Sequence, residues 1–186
     1  MDLENTLKKV VKILQNLKIP YLVTGGVAVV VWGRPRYTAD IDIIIELKKQ
    51  KVKKFVASLI KEGYIDEDVV MESLKYQSEF NFIDHETGMK VDFWILQDSD
   101  FDRSRLKRAM IRKIFGQKIS FSSPEDLILK KLLWFKESKS TRQLEDIHSV
   151  MAIIKDKLDF NYLKKWAKKQ NTLKVLEEQI GLVSNA

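Results

Sequence analysis

The chain has no cysteine, which removes disulfides, thiolate nucleophiles and zinc-thiolate centres together. Its two histidines, His85 and His148, stand without metal-ligand company and are assigned no role. The His-Asp ligand sets of the usual metal-dependent phosphohydrolases are missing with them, which disfavours that class. No apolar run approaches the ~20 residues a membrane helix needs, and no repeat or low-complexity segment interrupts the chain. The opening Met1-Asp2-Leu3-Glu4-Asn5 lacks the basic start and apolar stretch of a secretory signal, so no membrane partner and a cytoplasmic location are expected.

What remains is an ordinary soluble composition, 45% hydrophobic and 32% charged over 186 residues. That length suits one domain with a helical appendix. The net charge of +7 has two readings. A basic surface gathers nucleic acid or nucleotide polyphosphates, and lysine- and glutamate-rich, cysteine-free chains also serve thermostability.

Leu3, Leu7, Val10, Val11, Leu14 and Leu17 recur at helical spacing, with Asp2 as N-cap and Ile19-Pro20 as the stop. Tyr21–Thr24 reads as a strand, Val27–Trp32 as a buried helix, and Ala39–Leu47 as a second strand. A helix over Lys48–Glu62 closes on Gly63 as its C′ residue, residues 64–74 are ambiguous, and Tyr76–Ile83 alternates as a strand. Asp84–Gly88 turns into a strand around Asp92, Asp100–Met110 is a charged helix, and Ile114–Phe121 is one more strand with Gly116-Gln117 as a kink. Ser123 caps a helix opening on Pro124 and running to Lys136, and helices over 141–155, 160–170 and 172–180 follow. The expected fold is α/β (α+β), with a mixed twisted sheet and flanking helices over residues 1–121 and a C-terminal helical region over 122–186.

The chemistry is concentrated in Thr24-Gly25-Gly26 and Asp40-Ile41-Asp42. A glycine pair after an apolar strand allows a sharp turn and leaves N–H groups at a helix start, where phosphate oxygens bind. On a strand, Asp40 and Asp42 leave the same face about 7 Å apart. Carboxylates so placed are costly unless they meet water or a cation, and beside a phosphate-binding turn they suit Mg²⁺. Asp92 offers a third carboxylate, on the strand face between Lys90 and Trp94 and opposite to Val91, Phe93 and Ile95.

Gly25-Gly26, Asp40-x-Asp42 and a distant Asp92 resemble the nucleotidyltransferase superfamily. A closer resemblance, to AbiEii-type toxin relatives, is carried by Gly33-x-Pro35-Arg36-x-Thr38-x-Asp40-x-Asp42, by Ser123-Pro124-Glu125-Asp126-Leu127-Ile128-Leu129-x-Lys131-Leu132, and by Ser140-x-Arg142-Gln143-x-x-Asp146-Ile147. The resemblance implies transfer of an NMP group from an NTP to a hydroxyl. Asp40, Asp42 and Asp92 would hold two Mg²⁺ ions, with Mn²⁺ as an alternative, and Asp92 would act as general base or metal holder. Gly25, Gly26, Arg36, Thr38 and Lys131 would bind the nucleotide. Gly26 stands where the family often has Ser, so any phosphate contact there falls to backbone N–H groups.

Each residue also has a plainer reading. Arg34 and Arg36 can be solvated loop charges, Thr38 can bond locally, Lys131 can snorkel from a core edge, and Arg142 with Asp146 reads as a surface ion pair. Trp134 and Phe135 read as core. The acceptor can be a nucleic-acid end such as tRNA, a protein side chain or a small molecule such as an antibiotic. The alternative function is a non-catalytic nucleotide- or partner-binding module, such as one component of a toxin–antitoxin pair.

Overall fold

Alternation of apolar residues along the strands, and their recurrence at every third or fourth position of the flanking helices, decide which faces meet. A computed structural model describes residues 2–184. Among these residues the chain forms nine α-helices and seven strands. The order begins α1 (Asp2–Asn16), β1 (Tyr21–Thr24), α2 (Gly25–Trp32), β2 (Asp40–Ile45), α3 (Val52–Leu59), β3 (Gly63–Tyr64), α4 (Glu67–Tyr76), β4 (Glu79–Asp84) and β5 (Lys90–Ile95). It continues α5 (Asp100–Lys107), β6 (Met110–Ile114), β7 (Gln117–Phe121), α6 (Pro124–Ser138), α7 (Thr141–Ile154), α8 (Phe160–Lys169) and α9 (Leu173–Ser184). Two compact units result. A sheet unit takes residues through Val27 together with Tyr37–Phe121, and a helical unit takes Ala28–Arg36 together with the chain from Ser122 onward. The second therefore includes residues 28–36, which the sequence reading assigned to the first.

The sheet unit holds all seven strands, in the order β3-β4-β5-β2-β1-β7-β6. It is mixed: β2 runs parallel to β5 and β1 parallel to β7, while the other neighbours are antiparallel. One face is apolar. Phe80 of β4 and Phe93 of β5 stack at 5.1 Å between centroids, and Phe55 of α3 meets Phe93 edge-on at 5.4 Å. Aromatic pairs of this geometry contribute about 0.5–1.5 kcal/mol beyond their burial. Helix α1 buries Leu7, Val10, Val11 and Leu14, as its spacing dictates. A polar anchor accompanies it: Asp84, fully buried, accepts from Thr6 Oγ1 and Lys9 Nζ and from the backbone N–H of Glu86.

Four expectations need correction. Helix α1 starts at Asp2 itself, so Asp2 is not its cap. Gly63 lies in a strand, not at a helix C′ position, and a Cβ there would come 2.1 Å from the Ile83 carbonyl oxygen; close backbone approach, not turning, is what requires glycine. Residues through Tyr76 are helical, because Asp66 caps α4 through the N–H groups of Asp68 and Val69 and Gln77 ends it in the left-handed region. Finally, β6 and β7 form a hairpin in which Phe115 and Gly116 both take positive φ, 51° and 78°, as a two-residue primed turn demands.

In the helical unit, Ser123 caps α6 by accepting from the N–H of Asp126. The two acids of that first turn are buried rather than solvated. Asp126 accepts from the Tyr162 hydroxyl at 2.7 Å, and Glu125 accepts from the N–H of Asp159 at 3.0 Å, so both tie α6 to the start of α8. Trp134 and Phe135 are half-buried, not core. Lys130 and Lys131 both place their ammonium groups over the Trp134 ring.

Candidate active site

Burial along β2 alternates, with Asp40 and Asp42 half-buried and Ile41 and Ile43 buried. β5 lies parallel beside it, with Asp40 opposite Lys90, Asp42 opposite Asp92 and Ile44 opposite Trp94. Residues paired across parallel strands share a face, about 4.8 Å apart. Thr24 on β1 lies opposite Asp42, and Asn81 on β4 lies opposite Asp92. Thr24, Asp42, Asp92 and Asn81 thus form one row across four strands. The structure brings Asp40, Asp42 and Asp92 together on the face opposite to the Phe55–Phe80–Phe93 cluster.

Gly25 opens α2 with φ +59°, and a Cβ on it would lie 1.7 Å from Asp42 Oδ2. Only glycine lets the helix start sit directly against that carboxylate. Gly26 follows in the same first turn. Their N–H groups are among those with no partner inside the helix and carry its partial positive charge. Thr24 Oγ1, just before the pair, is buried and has no hydrogen-bond partner. Thr38 is buried and points its hydroxyl at Asp40, 3.3 Å from both the backbone oxygen and Oδ1, which orients that carboxylate. Trp94 Nε1 makes a long hydrogen bond, 3.4 Å, to Asp42 Oδ1.

A cation, Lys90, stands among these acids. Lys90 Nζ is 2.8 Å from Asp92 Oδ2. Its hydrogen bond to Asp92, helped by the Coulombic pull of Asp92, Asp40 and Asp42, holds the ammonium above its usual pKa against the opposing effect of burial. The strand alternation already placed Lys90 beside Asp92. Only the pairing of β2 with β5 shows that it also faces Asp40.

Arg36 and Lys131 belong to the helical unit, where Asp146 brings them together. Arg36 donates from Nε to Asp146 Oδ1 at 2.6 Å and from Nη2 to Oδ2 at 2.9 Å, a bidentate pair, and Lys131 Nζ is 2.8 Å from Oδ2. Asp146 is only 2% exposed, so its surface-pair reading is corrected. The i,i+4 spacing from Arg142 points to a local pair, and nothing local signals that Asp146 faces inward. Beside it, the Arg34 N–H donates to Ser149 Oγ, and a Cβ on Gly33 would strike that same hydroxyl. Both contacts pin the 33–36 loop to α7, and the sequence reading missed them.

The donor set fits a hard divalent ion. Asp42 and Asp92 are adjacent and half-buried, Asp40 is one pleat along, an orphaned hydroxyl lies in the same row, and a positive charge is already bound. Among the described residues no three carboxylate, imidazole or thiol groups are gathered into a ready-made cage. An ion would be held only as the side chains close on it.

No curated protein matches the chain. Among solved structures, an antigenic nucleotidyltransferase-like protein from Paracoccidioides brasiliensis superposes with a TM-score of 0.64 at 18% identity, over 99% of this chain and 91% of that one. The enzyme ANT(2")-Ia, in complex with adenylyl-2"-tobramycin, gives 0.57 at 12% identity over 92% and 98%. The lincosamide antibiotic adenylyltransferase LnuA, lincomycin-bound, gives 0.52 at 17% identity over 79% and 95%. At such identities these likenesses establish the nucleotidyltransferase fold. The family model of aminoglycoside-2''-adenylyltransferase matches residues 6–101, more than half of the chain and a stretch that contains Gly25, Asp40, Asp42 and Asp92. The motifs that resemble AbiEii-type relatives after residue 122 lie outside that match. The chain therefore belongs to the aminoglycoside-2''-adenylyltransferase family of nucleotidyltransferases.

Proposed function

We propose that the protein transfers an NMP group from an NTP to a hydroxyl of a small polar acceptor of the aminoglycoside kind. The observation that carries this reading is the register of β2 on β5, which sets Asp42 beside Asp92 with the start of α2 against Asp42. Membership of the family supports a small-molecule acceptor. The nucleic-acid acceptor expected from net charge gains no such support, and neither does a toxin–antitoxin partner.

In this reading the N–H groups of Gly25 and Gly26 bind phosphate oxygens of the NTP. The acceptor oxygen attacks the α-phosphorus, its proton passes to Asp92, the bond from phosphorus to the β-bridging oxygen breaks, and pyrophosphate leaves. Thr38 keeps Asp40 turned into the site. Asp40, Asp42 and Asp92 would hold Mg²⁺ or Mn²⁺, which when bound neutralises phosphate charge and stabilises the attacking and leaving oxygens. Assignment of Arg36 and Lys131 to nucleotide binding rests on the sequence resemblance alone, and no step above uses them.

Incubation with each labelled NTP, Mg²⁺ and a panel of aminoglycosides tests the proposal. Label should move to at least one acceptor, and Asp42→Asn should cut the rate at least ~100-fold. Transfer that survives in Asp42→Asn at the wild-type rate, or absence of transfer across the panel with every NTP, refutes it.

A further inference from the structure

We propose that Lys90 is a tethered counter-ion of the carboxylate cluster, holding at Asp92 the position that a divalent ion must win in order to bind. The proposal rests on the reading of Asp40, Asp42 and Asp92 as metal ligands and adds to it a residue that opposes the metal. Three observations carry it. Lys90 Nζ lies 2.8 Å from Asp92 Oδ2, within ion-pair distance. Its Cα is opposite Asp40 and two residues from Asp92 on the same strand face, so its side chain leaves the sheet beside both acids. Its side chain is 46% exposed whereas that of Asp92 is 14% exposed, which leaves the ammonium free to swing into water while the carboxylate stays in place.

Charge decides what this arrangement does. Without a cation, three carboxylates on one face repel each other. One ammonium removes a third of that charge without closing the site. A lysine is also a point charge on a flexible stem, able to leave without breaking a second hydrogen-bonded partner as an arginine fork would have to. A metal arriving at Asp92 therefore displaces an internal competitor.

Calorimetric titration of the nucleotide-free full-length chain with Mn²⁺ at low ionic strength tests this. Lys90→Met should bind Mn²⁺ roughly tenfold more tightly than wild type, the scale on which a neighbouring unit charge alters occupancy of a carboxylate. Lys90→Arg, which keeps the charge, should bind Mn²⁺ no more tightly than wild type. Metal-free Lys90→Met should also melt below wild type, with the difference shrinking as salt rises. A purely structural lysine would lower the melting point without raising Mn²⁺ affinity. Equal Mn²⁺ affinity in Lys90→Met and wild type, with binding lost in Asp42→Asn, overturns the role of Lys90 and leaves the metal site standing. Binding unchanged in Asp42→Asn, or no binding to either wild type or Lys90→Met, overturns both.

Discussion

Replacing Asp146 by alanine should unfold the protein at markedly lower temperature, and the size of the effect follows from its surroundings. Asp146 is 2% exposed and takes three charged donor contacts, two from Arg36 and one from Lys131. Removing one member of a buried ion pair typically costs about 3–5 kcal/mol, because the charge left behind has lost both water and partner. The two cations contribute unequally. Arg36 is 24% exposed and can recover part of its hydration, whereas Lys131, at 6%, cannot. The lower half of the range would apply if Arg36 relaxes fully into solvent. For a chain of this size about 2–4 °C of melting temperature accompanies each kcal/mol, so the drop should be roughly 6–20 °C. Thermal and urea denaturation followed by circular dichroism measure it, and the double variant Asp146→Ala/Lys131→Met should regain part of the loss by removing the less hydrated cation. A loss below about 1 kcal/mol in Asp146→Ala, the range of exposed pairs, would refute the view that this carboxylate is a buried clamp.

Gly25→Ala should fold but lose activity: the left-handed φ costs an L-residue about 1–2 kcal/mol, and Asp42 must move away from a Cβ that would sit 1.7 Å from its Oδ2. A displacement near 1 Å in a reacting site can cost about 100-fold, so a near-wild-type rate of NMP transfer would show that Asp42 need not stay put. Asp84 is pushed up by burial but pulled below its usual value overall by hydrogen bonds from Lys9, the Glu86 N–H and Thr6. Because its folded pKa is depressed, it stabilises fully above the unfolded value of about 3.9 and loses that contribution as pH falls through the folded value. Wild type should therefore lose more stability than Asp84→Asn as pH is lowered below about 4 in denaturation series, and parallel curves would contradict the assignment. Gly63→Ala should destabilise by about 1–3 kcal/mol, because its Cβ would collide with the Ile83 carbonyl; an unchanged denaturation midpoint would mean that β3 can shift at no cost.

Where a residue's partner lies close in sequence, or where period alone fixes its face, the sequence reading reached the structure. Alternation along residues 90–95 placed Asp92 opposite to Val91, Phe93 and Ile95, and β5 has that burial pattern. The fold class was legible by another route, the resemblance of the Gly25-Gly26, Asp40-x-Asp42, Asp92 order to nucleotidyltransferases, and the mixed seven-stranded sheet agrees with it. What escaped was set by tertiary contact or by turn chemistry. α4 presents only Val70 and Ser73 as fully buried residues, too thin a stripe to declare a helix, and its ends come from Asp66 and Gln77. Residues 114–121 read as one strand kinked at Gly116-Gln117, with Met110 closing a helix, because the hairpin of β6 and β7 needs positive φ at Phe115, which a bulky side chain seldom adopts. Asp146 looks local because Arg142 is one helical turn away, and only the fold shows Arg36 arriving from more than a hundred positions earlier. That Lys90 faces Asp40 depended on which strand pairs with which, and spacing within one strand carries no such information.

The acids that open α6 also say something about how this chain must be made. Asp126 and Glu125 are sealed from solvent and take donors from Tyr162 and Asp159, 36 and 34 positions downstream. During synthesis the first turn of that helix therefore leaves the ribosome before these two downstream donors, with the Ser123 hydroxyl, which donates to Asp126 Oδ2, already at hand. A nascent or truncated product ending ahead of Asp159 would lack both downstream donors, and with them the tie between α6 and the start of α8.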